Sequence, residues 1–70
     1  MIEVFKTNVE TIDDSKLVLG ILTENYPETT INFDLDDCDN ILRVEGNNLI
    51  IEQIISIIMA EGFYCEVLPD

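Results

Sequence analysis

The sequence predicts a single α+β domain, residues 1–70, with its elements in the order β-α-β-β-α-β. Three observations carry that prediction. Ile31, Phe33 and Leu35 alternate with Asn32, Asp34 and Asp36, the pattern of a half-buried antiparallel strand. Two apolar stretches, around 17–22 and 49–59, recur at helical spacing. Seventy residues leave no room for a second domain.

Ile2 to Lys6 is β-prone with weak alternation. Thr11-Ile12-Asp13-Asp14 reads as a helix start, with Thr11 as N-cap and carboxylates in the first turn, where the helix dipole favours them. That helix runs to about Asn25 on the apolar positions Leu17, Val18, Leu19, Ile21 and Leu22, and Pro27 cannot continue it. Gly20 inside it costs up to about 1 kcal/mol relative to alanine, which predicts close packing against a strand or the other helix. Thr30 to Asp36 forms the second strand. After the turn-rich Asp36-Asp37-Cys38-Asp39-Asn40, Ile41 to Glu45 returns with Leu42 and Val44 inward, a hairpin with a loop longer than two residues.

Gly46-Asn47-Asn48 breaks the strand and offers an Asn cap to a second helix carrying Leu49, Ile50, Ile51, Ile54, Ile55, Ile57 and Ile58 and ending at Gly62. Isoleucine is a middling helix former, so burial must hold this helix. Its apolar arc is wider than one sheet contact needs, which leaves part of it for a partner. Phe63, Cys65 and Val67 then alternate with Tyr64, Glu66 and Leu68 in a last strand stopped by Pro69. The exposed sheet face would carry Glu3, Asn32, Asp34, Asp36, Arg43, Glu45, Tyr64 and Glu66, an acidic surface.

Composition narrows the function classes. Eleven isoleucines and an apolar content of 47% predict a folded core rather than disorder. Fifteen carboxylates against Lys6, Lys16 and Arg43 give a formal charge of −12, which repels phosphate backbones and anionic lipid, so neither nucleic acid nor a membrane surface is an expected partner. An RNA-reading sheet of this topology also needs stacking aromatics in a basic surround. Met1 leads straight into Ile2-Glu3-Val4-Phe5 without a signal-like region, and the expected location is the cytoplasm. There Cys38 and Cys65, too far apart for a CxxC motif, remain thiols.

Chemistry is sparse. Without histidine the usual activator of Ser or Cys nucleophiles is missing, and Gly20, Gly46 and Gly62 are isolated, so no phosphate loop exists. The acidic run Asp34 to Asp39 offers hard oxygen ligands but lacks the glycine and distal glutamate of an EF-hand loop. No catalytic, cofactor-binding or metal-ligating residue is assigned, no cofactor is expected, and the chain is not expected to be an enzyme.

The element order, the hairpin from Ile31 to Val44, Val44-Glu45-Gly46 before a helix, and Gly62-Phe63 before the last strand resemble the heavy-metal-associated domain family over nearly the whole chain. The resemblance implies a ferredoxin-like sandwich, with two helices on one face of a four-stranded antiparallel sheet in the order 4-1-3-2. Copper chaperones and the N-terminal modules of metal-transporting ATPases have this form. They carry Cu(I) on two thiolates of an M-x-C-x-x-C loop between the first strand and first helix. Here that loop reads Lys6-Thr7-Asn8-Val9-Glu10-Thr11, with Asn8 and Thr11 at the matching positions. Neither is a soft ligand, so no metal-binding residue carries over. In the implied strand order Cys65 lies at one edge and Cys38 in the hairpin near the other, too far apart for a shared ion or disulfide.

The expected function is therefore that of a non-catalytic relative without soft-metal binding. It would self-associate or bind a protein through the Ile-rich second helix or a sheet edge. The alternative is a metal-handling protein that uses carboxylates or an isolated thiol in place of the cysteine pair. Fold does not by itself decide between them.

Overall fold

The computed structural model describes residues 1–36 and 38–69. Strand β1 (Ile2–Thr7) leads through a short loop into helix α1 (Ile12–Asn25). Thr11 is extended, and its Oγ1 accepts from the Asp14 amide at 3.0 Å, the expected N-cap. Strands β2 (Thr30–Asp34) and β3 (Ile41–Glu45) form the hairpin, followed by helix α2 (Ile51–Ala60) and the short strand β4 (Cys65–Val67). All strand pairs are antiparallel, in the order β2-β3-β1-β4, as the resemblance implies.

Both helices cover one face of the sheet. Phe5, Leu42 and Val44 from the strands, Val18 and Leu22 from α1, and Ile54 and Ile58 from α2 are almost wholly buried and form one core with Val9 and Cys65. β1 supplies its centre, since Phe5 lies opposite Leu42 on β3 and opposite Val67 on β4.

Several elements differ locally from their sequence reading. α2 starts at Ile51, behind Ile50 as a cap without a side-chain hydrogen bond, and not at an Asn cap. Asn48 instead takes the left-handed conformation, φ 59°, which turns the chain after β3 and cannot open a right-handed helix. At the other end Gly62, φ 93°, closes α2 as expected. Its amide donates to the Met59 carbonyl at 3.0 Å and the Phe63 amide to that of Ile58 at 3.4 Å, a Schellman motif. β2 ends at Asp34 because Asp34 Oδ1 accepts from the Asp36 amide at 3.2 Å and turns the chain. β4 is shorter than Phe63 to Leu68, because the Tyr64 amide is drawn to a side chain outside the sheet.

On α1, Leu17 is exposed and the stripe of Ser15, Val18 and Leu22 faces the core. Gly20 is exposed, and a Cβ built there would meet nothing within 4 Å, so close packing does not explain it. Gly20→Ala is therefore expected to stabilise the domain by about 1 kcal/mol through the lower entropy of the unfolded chain. In thermal unfolding that corresponds to a rise of about 4–8 °C for a domain of this size. An unchanged or lower midpoint would contradict the open space around this position.

Candidate functional site

Residues 8–11 form the β1–α1 loop, where the resemblance places a metal site, and every polar side chain flanking it except Glu10 is tied into the fold. Val9 is fully buried and plugs the loop into the core. Thr7 Oγ1 donates to the Asn40 carbonyl at 2.7 Å and accepts from the Val9 amide at 3.2 Å, while the Thr7 amide donates to the Asp39 carbonyl at 3.2 Å. Asn8 Oδ1 accepts from the Tyr64 amide at 2.7 Å, which joins this loop to the segment before β4. Thr11 caps α1. The loop thus presents amide and hydroxyl oxygens already engaged, a donor set that does not fit a soft ion. Thr11→Ala should cost about 1 kcal/mol of stability, read in urea unfolding.

Lys6 stands where the family motif has methionine, with Nζ 3.6 Å from Asp39 Oδ1, an exposed pair that contributes little to stability. Among the described residues, no group of three or more His, Cys, Asp or Glu side chains gathers to hold a metal ion. Asp34 and Asp36 share the turn hydrogen bond at the end of β2, and Asp37 lies outside the described residues.

Both cysteines are free, Cys38 exposed and Cys65 buried. Thr7 stands between them, paired with Cys65 on β4 on one side and holding Asp39 and Asn40 on the other. Burial, with the neighbouring Glu66 carboxylate, pushes the Cys65 thiol up to about 12. Its raised value means that the unfolded chain loses this proton first as pH rises. Stability is then fully present below about pH 9 and is lost as pH climbs towards 12. The slope is at most about 1.4 kcal/mol per pH unit, that of one proton. Urea midpoints measured from pH 8 upward should fall more steeply in the wild type than in Cys65→Val, which removes this thiol and leaves every other side chain in place. A native thiol titration should find Cys38 reactive and Cys65 not; equal alkaline slopes and two reactive thiols would contradict this burial.

The open face of the sheet is less acidic than the sequence pattern suggests. Glu3 pairs with Val44 and so lies on the helix side, because Phe5 takes the core position opposite Leu42 and β1 alternates from there. The open face therefore receives Ile2, Val4 and Lys6. One cross-strand row reads Asn32, Arg43, Val4, and the next reads Asp34, Ile41, Lys6, Glu66. Two of the three cations thus stand among the acids. At the edge, a hydrogen bond to Glu66 and its negative charge raise the Tyr64 phenol above its ordinary value.

Most of the apolar arc of α2 is absorbed by the core. Ile54 and Ile58 are fully buried, Ile51, Ile55 and Ile57 pack half-buried against them, and the Tyr26 hydroxyl of the α1 end donates to Gln53 Oε1. Its large exposed side chains, Ile50 at 53% and Met59 at 54%, stand at opposite ends of the helix. A different apolar surface lies along the β2 edge of the sheet, where the sequence offered a sheet edge as a contact surface without saying which edge or which residues line it. Ile12 and Leu19 of α1 face Ile31, Phe33 and Leu35 across a groove of about 460 Å³ beside β2. Its one signal in the sequence is Ile12, an apolar residue outside the set that faces the core.

This architecture is a ferredoxin-like sandwich, two helices on one face of a four-stranded antiparallel sheet. Among solved structures it is similar to the solution structure of the yeast copper transporter domain CCC2A in its apo and Cu(I)-loaded states. The TM-score is 0.82 and the identity 21%, over 99% of this chain and 96% of that one. At that identity the likeness is one of fold. No protein-family model matches the chain, and no curated protein matches it in sequence. Among the described residues, no helix is long and apolar enough to cross a membrane.

Proposed function

We propose that this chain is a non-catalytic interaction module that uses the heavy-metal-associated fold without binding a soft metal. The observation that supports the reading is the β1–α1 loop. Asn8 and Thr11 stand at the positions that the resemblance assigns to thiolates, and both oxygens are engaged inside the fold, with the Tyr64 amide at 2.7 Å and the Asp14 amide at 3.0 Å. Cu(I) prefers thiolate and thioether donors, which these side chains do not offer. The fold then offers surface rather than ligands, and an exposed apolar side chain such as Ile12 is what a protein partner would cover.

A second reading, metal handling through carboxylates or an isolated thiol, draws on the likeness to a copper transporter domain solved in a Cu(I)-loaded state and on the exposed Cys38. Native mass spectrometry of the reduced protein with added Cu(I), Zn²⁺ and Ca²⁺ separates the two. The positive control is the double variant Asn8→Cys with Thr11→Cys, which restores the thiolate pair. The expected result is no stoichiometric adduct on the wild type under conditions where the double variant takes up one Cu(I). A stoichiometric adduct on the wild type would establish the second reading instead.

A further inference from the structure

We infer that the outer edge of β2 is a docking site for an extended basic segment of a partner protein, which adds to the sheet as a fifth strand with its apolar side chains in the groove under α1. This rests on the reading of the chain as an interaction module and names its surface and the chemistry of its partner.

The geometry has three parts. First, β2 ends the sheet order, and the outward backbone groups of an edge strand are the natural template for another strand. Second, β2 alternates across its two faces. Ile31 and Phe33 are half-buried and turn to the helix side, whereas Thr30, Asn32 and Asp34 are exposed on the open face. Third, α1 brings Leu19 and Ile12, which is 66% exposed, to one flank of the groove and β2 brings Ile31 and Phe33 to the other, with Ser15, Asn32, Asp34 and Asp36 lining it beside them. A strand laid along β2 would place every second side chain in that groove and the intervening ones beside Asp34 and Asn32, since cross-strand neighbours share a face.

Charge selects the occupant. Asp34 and Asp36 line the groove at the strand end, and among the described residues no Lys or Arg lines it. Two copies of the chain would each bring a formal charge of −12, which disfavours β2-to-β2 self-pairing. An alternating apolar and basic segment meets both the groove and the field.

The probe is a synthetic peptide that alternates valine and lysine, compared with the same sequence N-methylated on every amide, which leaves no N–H on either edge. The N-methylated peptide keeps the charge but cannot complete a strand ladder. Binding is followed by amide chemical shifts of the labelled protein. The expected result is saturable binding, with shifts concentrated on 12–19 and 30–36, at least about tenfold weaker for the N-methylated peptide. Ile12→Asp should weaken binding about tenfold by removing the apolar wall, although it adds a negative charge, and an acid in the first turn suits a helix N-terminus. Leu17→Asp, on the same helix but away from the groove, should leave affinity unchanged, and Asp34→Lys should weaken binding of the valine and lysine peptide.

Equal binding of the N-methylated peptide, shifts centred on α2 or the open face, indifference to Ile12→Asp, or no binding would each overturn the assignment of this edge. Those results leave the metal-free reading intact, because that reading fails only on a stoichiometric metal adduct.

Discussion

Phe5→Ala is expected to leave the domain largely unfolded in mild urea. Phe5 has no exposed surface and lies on an inner strand, opposite Leu42 on one side and Val67 on the other, under both helices. Truncating a buried phenylalanine costs about 3–5 kcal/mol, from lost apolar burial and the cavity left behind. Domains are stable by only about 0.05–0.15 kcal/mol per residue, so a chain of this length has little left after such a loss. No disulfide supplements the core. Urea unfolding followed by far-ultraviolet circular dichroism should show the midpoint falling by more than half, or no folded baseline. Phe5→Leu, which keeps most of the volume, should remain folded. A midpoint for the alanine variant close to the wild type would mean that the core is centred elsewhere.

Gly46→Ala should be the next most damaging change, though the residue is small and lies in a turn. A Cβ at this position would meet Thr29 Cγ2 at 2.6 Å, well inside contact distance. Thr29 cannot simply rotate away, because its hydroxyl donates to the Tyr26 carbonyl at 2.6 Å and its amide donates to the same oxygen at 3.2 Å. The Gly46 backbone is held in turn by its amide donating to the Met1 carbonyl at 2.9 Å. Overpacking of this kind costs about 1–3 kcal/mol. Thr29→Ser keeps the hydroxyl and deletes the methyl group, so the double variant should recover most of the loss. The coupling between the two sites should be about 0.5–3 kcal/mol. Additive effects would show that the cost of the alanine comes from elsewhere in the turn.

The legible features were local ones. Thr11 was readable as a cap because its partner, the Asp14 amide, is three residues away, and Gly62 as a helix stop because its Schellman bonds lie within one turn. The β2 face was readable because apolar and polar residues alternate, and the β3 face because Leu42 and Val44 flank Arg43, although apolar Ile41 falls on the open face. β1 was harder, since Ile2 and Val4 compete with Phe5 for the inner face, and the pairing of Phe5 with Leu42 settles the matter against Glu3 lying outward. The departure of Asn8 and Thr11 from the thiolate pattern was visible in the sequence. The bond from the Tyr64 amide to Asn8, across 56 positions, was not.

The sequence by itself determined the element order, the β2–β3 hairpin, both helices and their stops, and the lack of soft ligands in the first loop. Period, capping and turn chemistry act over a few residues, and donor type is a property of the side chain itself. Only the tertiary structure decided that Gly20 has free space around it, that α2 spends most of its isoleucines on the core, and that Ile12 and Leu19 meet Ile31 and Phe33 along an open edge. Each of these depends on which surfaces distant elements cover. Burial is a relation between elements, and periodicity within one of them cannot say how much of its apolar face a neighbour will reach.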